Sequence, residues 1–379
     1  MNKKSDKDVN LNPNQEKIKN KTEPIPQLII ITFYILIFFK NYIDENAQPI
    51  QTLITGCYIL IGISTTIYIF IYSKRYPFVT FVFISMFIFS TVVSLFSKNY
   101  RIEDNILVLC YLGIAVIPTK YKLNHKVFIY FIYLILLFFL YQIITENNPN
   151  EIFNTSRNYI SVLLIIGVGY YIISCVQNNI TPSILIMIFS LIIAIWATGR
   201  GGIIAFSILL IFMPFVVNLK RSYRILLFVL IVSLITYSFY NFYDLLFEFG
   251  LGRFDNLGLE GDRSTMNSNY LNNIFSSFHD FIFGSYLMDI PSIVEGNPHN
   301  SFIRMHVYYG IFGFIWLISL LLFTAIRLFL KRNFLYLLLL IVLLIRSSVD
   351  SVAFHGPFDP IIFFIIFNEF NKKKTIQKI

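Results

Sequence analysis

Four basic side chains and one run of polar residues are the parts of this sequence best suited to chemistry. His299, Asn300, Ser301 and Arg304 lie in NPHNSFIRMHVYYGIFGF, residues 297–314, where a polar knot runs straight into an apolar, aromatic stretch. Arg200 lies in WATGRGGIIAF, flanked by Gly199, Gly201 and Gly202, and Arg263 lies in EGDRSTMNSNY. A guanidinium is a planar, two-pronged donor suited to phosphate. Glycines let the chain reverse and leave N–H groups open to an anion. A neutral imidazole can take a proton from an attacking hydroxyl, a role worth about 10² to 10⁴ in rate. Taken singly, each arginine is equally well explained as an anchor at a helix end, and a lone histidine at a helix start is more often a cap than a catalyst. Three arginines converging on one face favour an anionic ligand. His299 is therefore the candidate base, with Asn300 and Ser301 as the cap that orients it. Arg200, Arg263 and Arg304 are the candidate anion clamp, and Gly199, Gly201 and Gly202 support it.

Membrane helices must position these groups. Of 379 residues, 56% are hydrophobic and only 13% are charged, and the mean hydropathy is +0.68. That composition excludes an ordinary soluble domain. Apolar runs able to cross roughly 30 Å of hydrocarbon recur along the chain. They predict an all-α polytopic fold with about twelve spans, near residues 27–43, 50–73, 77–97, 105–119, 127–145, 159–177, 181–198, 202–219, 225–243, 305–326, 334–346 and 358–370. The fourth and the last two are short for a full crossing.

Charge sets the orientation, since Lys and Arg near span ends stay cytoplasmic. With both termini inside, the inner segments hold 21 Lys and Arg against nine outside, while acidic residues divide five inside and 16 outside. The net charge of +9 is thus a mark of topology and not of nucleic-acid binding. Residues 1–24 are rich in Asn and Lys and poor in apolar residues, as expected of a disordered cytoplasmic tail without a signal-peptide core. Spans one to nine occupy 25–243 and the last three 299–371, with a basic cytoplasmic tail at 372–379.

One outer connection, residues 244–298, is 55 residues long, a length that usually carries function. Within it Leu271, Ile274, Phe275, Phe278, Phe281 and Ile282 recur at helical spacing, predicting one amphipathic helix that lies on the membrane or against the bundle as a lid. Its acidic residues Asp255, Glu260 and Asp262 read as a solvated face more readily than as a metal site.

The remaining polar residues fit structural roles. Cys57, Cys110 and Cys175 all fall inside spans and offer neither a disulfide framework nor a metal cluster. There is no phosphate-binding loop, dinucleotide fingerprint or zinc-protease helix. His306 reads as packing, and His279 and His125 as solvated. Arg346 and Asp350, four apart, pair on one helical face or line an exit path with His355 and Asp359. Among the outer-half charges, only Lys40 lies well inside a predicted span. Transporters usually carry ionisable groups near the midplane and show repeat symmetry, so polar groups collected at one surface favour interfacial chemistry over passage.

These residues resemble the O-antigen ligase and O-antigen polymerase family of bacterial membrane glycosyltransferases. The resemblance rests on the turn Thr198-Gly199-Arg200-Gly201-Gly202 between central spans, on Arg263 in the large outer loop, and on His299-Asn300-Ser301-Phe302-Ile303 followed by Gly310-Ile311-Phe312-Gly313. Span count and loop position agree over most of the chain. Gly199 stands where Ser is common, and the sequence between Arg253 and Arg263 matches no family motif. The resemblance implies a metal-independent enzyme without a cofactor, in the bacterial inner membrane. Such an enzyme moves a glycan from undecaprenyl pyrophosphate to an acceptor sugar hydroxyl on the periplasmic side. It implies Arg200, Arg263 and Arg304 at the pyrophosphate and His299 as base, with lipid and a chain-length regulator protein as partners and no nucleic acid. A polymerase is preferred; a ligase using lipid A core as acceptor, or a lipid-linked oligosaccharide flippase, is the alternative.

Overall fold

A computed structural model of the protein describes residues 24–42, 48–71, 76–97, 102–153, 156–217, 229, 262–290, 293 and 296–371. Every regular element among them is helical. Apart from residues 24 and 229, the predicted span at 225–243 and both predicted tails lie outside the described residues, as do the acidic Asp255 and Glu260.

In chain order the helices are α1 (Pro24–Tyr42), α2 (Gln48–Ile71), α3 (Pro77–Phe96), α4 (Ile102–Lys120), α5 (His125–Ile144), the single turn α6 (Pro149–Ile152), α7 (Asn158–Asn178), α8 (Ile184–Trp196), α9 (Arg200–Val216), α10 (Asp262–Ser276), α11 (Phe278–Phe283), α12 (Ser301–Leu330), α13 (Phe334–Ser348) and α14 (Asp359–Asn371). Six of these are long and apolar enough to cross a membrane: α1, α2 through Thr52–Ile71, α3, α5, α7 and α12. Four shorter apolar helices accompany them: Asn105–Lys120 within α4, then α8, α9 and α13. The protein is thus an all-helical chain built to sit in a membrane.

Local sequence sets the boundaries. Pro77 opens α3, where its missing N–H costs nothing. The Asn124 side chain caps α5 by accepting from the Lys126 amide at 3.0 Å. Asn179 ends α7 in the left-handed conformation at φ 54°.

Two helices occupy the centre. α7 is apolar on all sides, and 16 of its residues are buried; in α14, residues 361–367 are buried without a break. A helix hydrophobic all round belongs inside a bundle. The flanking helices bury one face and leave aliphatic and aromatic side chains such as Leu134, Leu137, Phe312 and Leu322 exposed on the other, as lipid-facing helices do.

Contacts at the helix ends show antiparallel alternation. At one end Gln177 of α7 accepts from the Leu123 amide between α4 and α5, Phe78 of α3 stacks on Phe370 of α14 at 4.2 Å, and Glu369 of α14 pairs with Lys331 and with Arg327 of α12. The opposite end gathers the start of α7, the α8–α9 turn, the start of α12 and the segment joining α13 to α14. We call it the polar end.

Two departures from the sequence expectation concern the lid. The predicted single helix is two, α10 and α11, broken at Ser277, whose side chain caps α11 through the Asp280 amide. The face turned inward is Met266, Tyr270 and Ile274, whereas Leu271, Phe275 and Phe278 point outward. The tenth apolar stretch, expected from 305, begins at Ser301 and is interrupted at Gly310, with φ 63° and ψ −176°.

Candidate functional site

The α8–α9 turn is built around close approach. Thr198 takes the left-handed conformation at φ 50°, Gly199 is the N-cap position of α9, and Arg200 is its first residue. A β-carbon on Gly202 would sit 2.3 Å from Cβ of Ser161 in α7, and one on Gly201 would sit 2.9 Å from Val349 and 3.2 Å from Arg346. Only glycines let this turn seat between α7 and the end of α13. The Gly202 and Ile203 amides already donate to the Gly199 carbonyl, at 2.9 and 3.0 Å.

Arg346 lies beneath that turn and is the bulkiest fully buried side chain among the described residues. Its Nη2 donates to Asp350 Oδ2 at 2.9 Å, so the pairing four residues apart is observed. Asp350 Oδ1 in turn lies 3.6 Å from Nδ1 of His299, longer than a formed hydrogen bond. His299 Nδ1 is buried while the ring is 38% exposed, which leaves the Nε2 edge as the accessible one. Burial alone would raise the Asp350 carboxyl. His299, Arg346 and Arg263 overcome it and hold the group well below the usual carboxylate range.

The segment between α13 and α14 is the hub. Three successive carbonyls are taken by side chains from other elements. Val349 accepts from Arg263 of the lid helix α10, Asp350 from the Ser301 hydroxyl at 2.6 Å, and Ser351 from Arg304 of α12 at 3.2 Å. Ser301 Oγ also accepts from the Val352 and Ala353 amides, at 2.9 and 3.0 Å. Further along, the buried Asp359 carboxylate accepts from the amides of Phe354, His355 and Gly356 at 2.7, 2.8 and 3.0 Å. Irregular backbone survives inside a membrane protein only where such partners satisfy it.

Arg346, Asp350 and Asp359, which fit purely structural roles by sequence, tie the site together. The available signal was that ionisable residues beside short apolar helices are disfavoured unless they have work to do. His355 is buried and packs on Tyr308 with ring centroids 4.7 Å apart. Burial first, and then Arg304, push its imidazole well below the ordinary value.

Backbone strain concentrates here. Among the described residues seven non-glycines have positive φ, and four of them, Thr198, His299, Phe354 and His355, belong to the polar end. Asn300 is the expected cap: its Oδ1 accepts from the Phe302 amide at 2.9 Å and the Ile303 amide at 3.4 Å. Its Nδ2 reaches Asn267 of α10 at 3.4 Å.

A pair of hydrogen bonds from one histidine latches the lid to α12. His306 Nε2 donates to the Phe281 carbonyl at 2.9 Å, so its Nδ1 must be the acceptor for the Tyr270 hydroxyl, at 2.6 Å. His306, read from sequence as packing, is this buried tie. His279 is exposed beside Asp280, whereas His125 is half-buried against Tyr171 and Cys175.

Arg263, His299 and Arg304 therefore meet within three residues of one loop, and Gly201 brings the Arg200 turn against the same segment. Among the described residues no group of three metal-ligating side chains occurs. The fold and the site define an all-helical membrane protein with a guanidinium-rich, histidine-bearing cluster at one end of its bundle. No family model matches the chain, and neither the curated proteins nor the solved structures contain a match.

Proposed function

We propose that the protein is an O-antigen polymerase of the bacterial inner membrane, with about twelve spans, both termini cytoplasmic and the polar end facing the periplasm. In this reading it transfers a glycan from undecaprenyl pyrophosphate to a sugar hydroxyl of a second lipid-linked glycan. The observation that carries the reading is the gathering of Arg263, His299 and Arg304 on carbonyls and the carboxylate of residues 349–351, beside the Arg200 turn.

The chemistry follows from that arrangement. The acceptor hydroxyl oxygen attacks the anomeric carbon while His299 Nε2 takes its proton. The bond from that carbon to the pyrophosphate oxygen breaks, and undecaprenyl pyrophosphate leaves with the bonding electrons. Arg200 and Arg263 stabilise the negative charge that develops on it. Asp350, kept ionised by Arg346, faces Nδ1 and stabilises the imidazolium until the proton passes to water. Products are the lengthened lipid-linked glycan and the free lipid pyrophosphate.

The test is a deletion strain complemented with wild type, His299→Ala or Arg200→Ala, with surface polysaccharide resolved on a gel. A single repeat unit on the core in both variants is the expected result. Loss of all core-attached glycan indicates a ligase, lipid-linked units trapped on the cytoplasmic side indicate a flippase, and full-length polymer in both variants removes the site assignment.

A further inference from the structure

The end of the bundle opposite the candidate site carries a charge cluster that glycan transfer does not use. Here α12 and α14 end and α3 begins, the level at which apolar helices leave hydrocarbon. Glu369 of α14 is fully buried, and its Oε1 meets two cations of α12: Lys331, and Arg327 through Nε at 3.4 Å. Its Oε2 is buried as well, so the carboxylate is turned into the protein, while Lys331 and Arg327 are 41% and 35% exposed. Two cations against one carboxylate leave one net positive charge, and the face presented outward is cationic.

Basic residues in the last turn of a helix ordinarily need no ligand, because they favour the C-terminal dipole and extend their heads toward water. Arg327 does not extend. Its guanidinium lies over the Phe370 ring at 4.8 Å and over Phe323 at 5.8 Å, and Phe370 is itself stacked on Phe78 of α3. Ring and carboxylate hold the Nε side, and among the described residues the two Nη nitrogens have no partner. That free edge is the two-pronged donor suited to a phosphate, and the Lys331 ammonium, one turn on and sharing Glu369, stands beside it. Inward of the pair, Phe323 and Trp316 of α12 and Phe81 of α3 form an apolar track: Phe323 and Phe81 are exposed, and the Phe81 and Trp316 rings are 6.2 Å apart.

We infer that this cluster binds an anionic phospholipid, with the phosphate between the Arg327 fork and the Lys331 ammonium and one acyl chain along Phe323, Trp316 and Phe81. Basic pockets between membrane helices take such headgroups. Charge sets the class of lipid: a zwitterionic headgroup brings its own ammonium against the same two cations, whereas a headgroup with net negative charge does not. The site requires only a bilayer around the protein and is independent of the glycan-transfer reading.

Native mass spectrometry of the full-length protein in detergent, titrated with phosphatidylglycerol or with phosphatidylethanolamine of matched chains, tests the site. Wild type should bind its first phosphatidylglycerol about fivefold more tightly than its first phosphatidylethanolamine, the effect of about one net charge at a headgroup. Arg327→Gln with Lys331→Gln would strand the buried Glu369 carboxylate, which is strongly destabilising. The variant to read therefore carries Glu369→Gln as well, and it should bind the two lipids equally. Exchanging the cations, Arg327→Lys with Lys331→Arg, keeps the charge and should keep the preference, which controls for folding. Inorganic phosphate should leave the bound lipid in place, because it has no chain to lie on the apolar track; displacement would assign the cations to a soluble anion and overturn the lipid. Equal affinities in wild type, or a preference that survives in the triple variant, would reduce the cluster to a cross-link between α12 and α14.

Discussion

Asp350 receives three basic groups from three elements, and removing its charge should be more damaging than removing the whole pair. Arg346 is 2% exposed, so Asp350→Asn leaves a buried guanidinium uncompensated, at about 3–5 kcal/mol. Replacing both, Arg346→Met with Asp350→Asn, should restore part of that stability, and melting in detergent reads the difference directly. The pH dependence has a definite sign. The folded carboxyl titrates below its unfolded value of about 3.9, so its contribution is fully present above that value and is lost as pH falls toward the folded one. The gap in melting temperature between wild type and Asp350→Asn should therefore stay constant above about pH 5 and narrow below about pH 4. A gap that instead widened on acidification would mean that the group is not held ionised.

At the level of elements, the lid is fixed to α12 at a place only glycine can occupy. Gly310 combines φ 63° with ψ −176°, a region essentially closed to other residues, and a β-carbon there would lie 2.5 Å from the Ile282 carbonyl oxygen of α11. Gly310→Ala should cost about 1–3 kcal/mol or more and expose residues 262–290 to limited proteolysis. Tyr270→Phe tests the same docking more gently. It leaves His306 Nδ1 buried without its donor, at about 1–3 kcal/mol, and hydrogen exchange across α10 should accelerate while the core of α7 stays protected. Unchanged exchange would show that the latch carries no load. The sequence contained both the helical spacing of this loop and the Gly-x-x-Gly element. It could not show that the inward face is Met266, Tyr270 and Ile274, because that choice depends on which side of α10 meets α12. Local periodicity cannot encode this: Leu271, Phe275 and Phe278 are as apolar as the residues that dock. Likewise, Arg346 and Asp350 are legible as a pair from their spacing, but their place beneath the Arg200 turn depends on Gly201 meeting α13, a contact between residues 145 positions apart.

Across the whole molecule, short helices and charge placement make the two ends unequal. At about 1.5 Å per residue, the 13 residues of α8 and the 13 of α14 cover only some 20 Å, less than the hydrocarbon thickness. Non-helical segments must make up the path, and at the polar end those segments are the Arg200 turn and residues 349–358, where the candidate site lies. The opposite end carries Lys120, Lys122, Lys126, Arg327, Lys331 and Arg332 close to the helix ends, the concentration of positive charge on which the proposed cytoplasmic placement of that end rests. Antiparallel alternation was legible because every apolar run is bounded by polar residues, whereas the burial of α7 and α14 at the centre was not, since lipid-facing and core-facing helices are equally apolar. Orientation can be tested independently of catalysis. In a background carrying Cys57→Ser, with Cys110 and Cys175 buried, Ser264→Cys on the exposed side of α10 should react with a membrane-impermeant maleimide in intact spheroplasts. Arg332→Cys, in the turn between α12 and α13, should react only after permeabilisation. The reverse pattern would put His299 and its arginines in the cytoplasm, where a periplasmic lipid-linked donor cannot reach them, and would remove the glycan-transfer reading however well the site geometry holds.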